Sequence, residues 1–537
     1  MRTEFIVISR LEKHAVFRSL SSEGEITLKI PINQIEQSIN PTWHTTCRSK
    51  RAGGKPVNSR RFEQRLCWFK AFTRVRGTQE CVRYVAVLVC LSLCAFGEPA
   101  DWIYSARYVV TMDAQHRLID DGAVAIRGDH IIGVGKRTDI NRQFQAGHQL
   151  DRPDGILMPG LINTHTHAAM SLLRGIADDL RLHDWLQKYI FPAEAKNVTP
   201  DFVLWGTRLA CLEMMLSGTT TFVDMYYFED RVAQAAKEAG MRGVLGEAIL
   251  KFKSPDAATP KDALQYIEKF IQQYKTDPLI VPAPAPHAIF TNDDGDLRAS
   301  RQLANKYGVP VIIHLSETKV ENDDAVRTRG MSPTRLLDIL GVLDGPTIAA
   351  HGVWLDDADM KILKAHGTGI AHCPSSNMKL ASGVAPVMKL LGLGIPVGLG
   401  TDGPAGSNND FDLMEDINLA ADLQKVTTGD PTALNAEQAI AMATILGARV
   451  AGLEKETGSL ETGKRADLIT LHLDRPHAVP LYNVYSQIVY ALKGSDVEDV
   501  MVNGKPIVSE GRSLTLDEKL ILAKAKEYGA KVAASLK

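Results

Sequence analysis

Two hydrophobic rhythms alternate along the chain. Between residues 156 and 401, short apolar runs recur: ILMPGLIN (156–163), TTTFVDM (219–225), RGVLGEA (242–248), LIVPAPA (279–285), PVIIHLS (310–316), PTIAAH (346–351), GTGIAHC (367–373) and PVGLGT (396–401). Near-continuous runs of this length fit strands buried on both faces. Helical patterns separate them, as in 199–216, where Thr199 can cap and Pro200 takes the first helical position. Eight alternating strand and helix units predict an α/β fold, a parallel (β/α)8 barrel of the TIM type, with catalytic groups at the C-terminal ends of its strands.

A second pattern flanks this core. The runs 104–112, 122–127 and 130–135 are short, apolar and broken by turn residues, and a matching set returns at 466–473, 497–502 and 505–510. Each set reads as half of a small sheet.

Composition narrows the class. With 537 residues, 45% hydrophobic and 23% charged, the chain is globular rather than disordered or fibrous. A formal net charge of −2 offers no basic field to a phosphate backbone, so nucleic acid is excluded as a partner of the whole chain. The charge is uneven: residues 1–83 carry 16 Lys and Arg against 7 Asp and Glu, and the remainder is net acidic. Five of the seven cysteines (Cys47, Cys67, Cys81, Cys90, Cys94) precede residue 95, which leaves Cys211 and Cys373 in the body and no disulfide framework there.

The apolar run YVAVLVCLSLCAF (84–96) follows Arg74, Arg76 and Arg83. Thirteen residues are too few to span a bilayer as a helix; the positive flank, apolar centre and small-residue ending up to Gly97 fit a secretory signal, and a buried strand or helix would read the same way. No Met lies between Met1 and Met112, so a start at a non-Met codon such as that of Val75 would place residues 1–75 outside the mature protein.

Candidate chemistry gathers at the predicted strand ends. The first barrel run leads into Asn163-Thr164-His165-Thr166-His167, with two imidazoles on one side of an extended backbone. The next such ends carry His287, then His314 in His-Leu-Ser-Glu317, then His351, His372 and Thr401-Asp402-Gly403. Imidazole and carboxylate donors converging on one barrel face suit a divalent metal site that keeps a position open for water.

PGLINTHTH, HLSE, the 351 histidine, HCPSSNMKL (372–380) and GLGTDG (398–403) resemble the metal-dependent amidohydrolase superfamily. Within it they are similar to the nucleobase and triazine deaminases, above all to the 5-methylthioadenosine/S-adenosylhomocysteine deaminase family. The resemblance covers about residues 101–525. It implies three parts: an N-terminal extension (1–100) with the signal-like segment 84–97, a small β-sandwich composed of 101–155 and 455–537, and the hydrolase barrel (156–454).

It implies metal ligation by His165, His167, His314 and Asp402. The predicted strand before His287 has no Lys to bridge a second ion, so one divalent metal per chain is expected, zinc first and iron(II) as the alternative. Glu317 would shuttle protons, Asp402 would orient and deprotonate water, and His351 would hydrogen-bond the attacking oxygen. The implied reaction is hydrolytic deamination at C6 of an adenine nucleoside, giving ammonia and an inosine-type product; a guanine-type deaminase or triazine hydrolase is the alternative.

Glu194 matches a glutamate that binds ribose hydroxyls, against helix capping as the plainer reading. His287 matches a substrate-binding histidine; Glu317 and Asp402 would also touch substrate. Trp185 and Leu186 suit an apolar wall or a buried helix face equally, and His372 and Asn377 read as supporting groups. Relatives that hold an amino-acid carboxylate place Arg after the third strand; here Glu247, Lys251 and Lys253 stand there. The implied partner is a small adenine nucleoside, with no membrane for the mature domain and room for a homo-oligomer. The family is cytoplasmic, whereas the signal-like segment allows export.

Overall fold

The computed structural model describes residues 6–11, 14–21, 24–31 and 97–537. The signal-like run 84–96 lies outside the described residues. The chain divides into two units, Met1–Leu91 and Ser92–Lys537. In the first, β1 (Ile6–Leu11), β2 (His14–Ser21) and β3 (Gly24–Pro31) form an antiparallel sheet in that order.

The second unit holds two eight-stranded sheets. One combines strands from both ends of the unit. Its members are β4 (Glu98–Val110), β5 (Leu118–Arg127), β6 (His130–Lys136) and β7 (Phe144–Pro159), with β16 (Leu468–His472), β17 (Val497–Val502), β18 (Lys505–Ser509) and β19 (Arg512–Ser513). They run in the order β19-β18-β17-β16-β7-β4-β5-β6. β7 joins the halves, pairing parallel with β4 and antiparallel with β16.

The other sheet is the parallel one. It contains β8 (Leu161–Thr166), β9 (Thr219–Tyr226), β10 (Arg242–Ile249), β11 (Ile280–Pro286), β12 (Val311–Leu315), β13 (Thr347–His351), β14 (Gly369–His372) and β15 (Val397–Leu399). Their order is β11-β10-β9-β8-β15-β14-β13-β12, and every adjacent pair is parallel. Every residue of β8, β9, β10, β12, β13, β14 and β15 is buried, which is why their sequences read as apolar runs without alternation.

The end strands β11 and β12 are also neighbours in space, and the His314 N–H donates to the His287 carbonyl at 3.0 Å. No regular ladder joins them, for a reason visible in the sequence. The His287 N–H points to Ile249 on β10, so the alternate positions Pro282, Pro284 and Pro286 face β12, and proline has no N–H to give.

The expected first barrel strand, 156–163, divides in two. Ile156–Pro159 ends β7, and β8 begins at Leu161. Gly160 sits at the switch, its N–H on the Asp467 carbonyl; a Cβ there would meet Thr220 at 2.2 Å. One apolar run thus serves two sheets, and hydrophobicity alone cannot mark the division.

The helix expected at 199–216 forms as Pro200–Leu216, capped by Thr199, whose Oγ1 accepts from the Phe202 N–H at 3.2 Å. It packs against the C-terminal helix Glu518–Ser535, where the Phe202 and Tyr528 rings meet edge to face. That last helix also reaches the short helix Phe191–Asn197 through Asn197 Nδ2, which donates to Ser535 Oγ at 2.8 Å. Among the described residues no helix is long and apolar enough to cross a membrane.

Candidate metal centre and active site

The HTH run is held by its threonines. Thr164 Oγ1 donates to the Leu399 carbonyl on β15 and Thr166 Oγ1 to Val223 on β9, which leaves the alternate positions, His165 and His167, pointing the other way. Asp224 clamps the strand exit by accepting from Thr166 Oγ1 at 2.6 Å and the Ala168 N–H at 2.7 Å. Asn163 ties it to Thr401 on the facing strand end.

All four expected ligands come together. His165 stacks edge-on against His167 and His314, each with ring centroids 4.9 Å apart. Asp402 Oδ1 lies 3.3 Å from His167 Nε2 and 3.5 Å from His165 Nε2. Within two overlapping groups, His165/His167/Asp402 and His165/His314/His351, the candidate donor atoms lie within 4.8 Å of one another. His351, expected to serve the attacking oxygen, is thus also within reach of the cluster.

The imidazoles are oriented by partners behind them. His167 Nδ1 donates to the Met225 carbonyl at 2.5 Å and His314 Nδ1 to the His287 carbonyl at 2.7 Å, so each turns its Nε2 toward the cluster. Both nitrogens of the fully buried His165 lack a hydrogen-bond partner. Burial pushes the His165 pKa down to about 4. Burial also opposes charge on His167, yet the hydrogen bond and charge of Asp402 outweigh it and lift that imidazole to about 9. These side chains by themselves demand positive charge beside Asp402, and an orphaned imidazole with three N/O neighbours fits a divalent cation.

Asp402, three residues past the end of β15, and His351, the last residue of β13, have φ of 64° and 73°. Both are residues with a Cβ in left-handed backbone, a strained geometry that tertiary contacts must hold. For Asp402 these are its N–H on the His165 carbonyl and the Ser376 hydroxyl, which donates to Oδ2 at 2.6 Å. Asn377 Oδ1 accepts from His351 Nδ1 at 3.0 Å. Glu317 Oε2 lies 3.7 Å from His351 Nε2; burial, with Asp402 adding, pushes its carboxyl up to about 8.

A chamber opens beside this cluster. Glu194 lies in its wall, 3% exposed, and accepts from the Tyr226 hydroxyl at 2.7 Å and the Tyr227 hydroxyl at 3.4 Å. Burial lifts the Glu194 carboxyl to about 7. His287 lines the same chamber, its Nδ1 3.1 Å from Thr291 Oγ1. Trp185 and Leu186 line it as well, and Trp185 Nε1 donates to the Ala405 carbonyl at 2.8 Å. Gly406 packs so tightly under this loop that a Cβ would meet the Ala177 carbonyl oxygen. His372 is fully buried and outside the lining, and burial holds it neutral at about 3.

Sequence reasoning passed over Tyr226, Tyr227, Met170, Phe191 and Phe290, all in the lining. The tyrosines were findable, since they stand at the C-terminal end of the run 219–225, where the strand-end rule applies. Met170 and Phe191 stand on short helical turns, Ala168–Leu173 and Phe191–Asn197, and Phe290 in a turn, and no periodicity announces their approach.

Comparison with known proteins agrees with this geometry. The amidohydrolase family model matches residues 156–507. The chain is 46% identical to the 5-methylthioadenosine/S-adenosylhomocysteine deaminase of Thermodesulfovibrio yellowstonii over 79% of its own length and 97% of that relative. It is 41% identical to a 5'-deoxyadenosine deaminase of Methanosarcina acetivorans, covering 80% and 97%. Among solved structures it is similar to a zinc-bound adenosine deaminase from Xanthomonas campestris, with a TM-score of 0.80 and 37% identity over 82% of this chain and all of that one. The chain belongs to the amidohydrolase family.

Proposed function

We propose that this chain is a hydrolytic deaminase of adenine nucleosides, acting on 5'-methylthioadenosine, S-adenosylhomocysteine or adenosine and releasing ammonia with an inosine-type product. What carries the reading is one chamber with His167, His314, Asp402 and Glu317 at one end and Glu194 in the same wall. The named activities of the relatives support it.

The proposed fold is a closed (β/α)8 barrel over 156–454, with β11 and β12 meeting at the seam, and a composite β-sandwich over 101–155 and 455–537. His165, His167, His314 and Asp402 would hold one divalent ion, zinc first with iron(II) as the alternative. When bound there, the ion supplies the Lewis acidity that makes water nucleophilic near neutral pH.

The chain's own groups do the rest. Asp402, oriented by Ser376, takes the proton of the attacking water and helps return it to the leaving amine. Glu317 donates to adenine N1, and His351, steadied by Asn377, hydrogen-bonds the oxygen added at C6. Glu194 accepts from the ribose 2' and 3' hydroxyls, and His287 contacts the base side of the chamber.

Purified protein mixed in turn with methylthioadenosine, S-adenosylhomocysteine, adenosine and guanine tests this. Ammonia release from the adenine nucleosides and not from guanine is expected; turnover of guanine alone would overturn the reading.

A further inference from the structure

The chamber wall mixes acidic and apolar groups. Its carboxylates are Glu194, Glu317 and Asp402, and no Lys or Arg lines it among the described residues. Outside the lining, Lys188 pairs with Asp184 at 2.6 Å, Lys251 is 43% exposed with Asp293 at 3.9 Å, and Lys253 is exposed. Arg181, just ahead of Leu182, is exposed and not part of the lining.

The same region presents aromatic surface. Phe191 meets Phe252 edge-on with centroids 5.5 Å apart, and Phe290 stands 6.1 Å from the His287 ring. Phe252 and Phe290 remain 40% and 41% exposed, large rings kept at a polar surface beside the chamber. Leu182, Leu186 and Ile190 extend the apolar wall.

Resting on the deaminase reading above, we infer that this chamber selects nucleosides whose 5' substituent is uncharged and apolar, a methylthio or methyl group, and disfavours an amino-acid tail. A thioether among these rings buries apolar area and gains sulfur–aromatic contact. An amino-acid carboxylate would lose water with no Lys or Arg in the chamber wall to receive it.

The test compares kcat/KM for methylthioadenosine, 5'-deoxyadenosine and S-adenosylhomocysteine on the metal-loaded wild-type protein. The first two are expected to exceed the third by about 100-fold, the scale of leaving one charge unpaired in a partly dry site. Phe290→Arg should narrow that ratio by about tenfold or more by supplying the missing cation. Equal efficiencies for the methylthio and amino-acid tails in the wild type would overturn the inference while the deaminase reading stands. Turnover of none of the three would overturn both.

Discussion

The Tyr226 hydroxyl donates to Glu194 Oε1 at 2.7 Å, tying the end of β9 to the helix that carries Glu194. The bond fixes the carboxylate where a sugar hydroxyl can reach it. If Glu194 accepts from the ribose, Glu194→Ala leaves two hydroxyls unpaired, at a cost of about 1.5 to 3 kcal/mol. The ratio of kcat/KM for methylthioadenosine over free adenine should then fall by roughly 10-fold to 150-fold, with a smaller fall in Tyr226→Phe, where only the positioning contact is lost. Loss of metal or stability would lower both substrates together, so an unchanged ratio in Glu194→Ala would remove that residue from the ribose site.

Asp402 combines proximity to two imidazoles with a hydroxyl that orients it. Asp402→Asn keeps the shape but removes the proton acceptor and the anionic donor, so turnover should drop by at least about 10³-fold. Steady-state assays alongside metal content check this; more than a tenth of wild-type turnover would clear Asp402 of the role.

One tightly held metal per chain is expected in the active protein. β11 reads IVPAPAP and contains no Lys that could bridge a second ion. Elemental analysis of the purified chain, with activity followed through chelation and reconstitution by zinc or iron(II), measures it. Two tightly held metals per chain at full activity would contradict a mononuclear site.

Glu247 supplies a pH signature away from the centre. It is fully buried and accepts from the Glu229 N–H at 3.0 Å, while burial, with the charge of Asp256 adding, raises its pKa well above the ordinary carboxyl value. The folded chain therefore keeps a proton that the unfolded chain releases above about pH 4, so this group's contribution falls as pH rises from there. Glu247→Gln removes the titration and keeps the shape. Urea midpoints at pH 5 and 9 should differ less in the variant than in the wild type; identical differences would show that Glu247 does not carry the proton.

Much of this molecule is legible in the chain order of its residues. Buried parallel strands must be apolar on both faces, so seven of the eight parallel strands stand out as separate runs. Because such strands deliver their C-terminal ends to one face, the strand-end histidines and Asp402 could be grouped before any geometry was known, and the family resemblance then singled out His165, His167, His314 and Asp402 among them. The polar stretch 144–155 escaped because β7 exposes much of that length, which erases the hydrophobic signal. The division at Gly160 escaped because a strand leaving one sheet and a strand entering the next are equally apolar.

Contacts across long sequence separations were decided by tertiary structure alone. Tyr226 meets Glu194, Asn377 steadies His351 and Ser376 orients Asp402 only because separate strand–helix units are packed side by side. The same holds for the aromatic rim and for the lack of Lys and Arg in the chamber wall among the described residues. Residue type and local spacing determine which groups can do chemistry and which strand end bears them. Which side chains face each other, and what charge they leave uncompensated, is set by packing between elements, which no local pattern encodes.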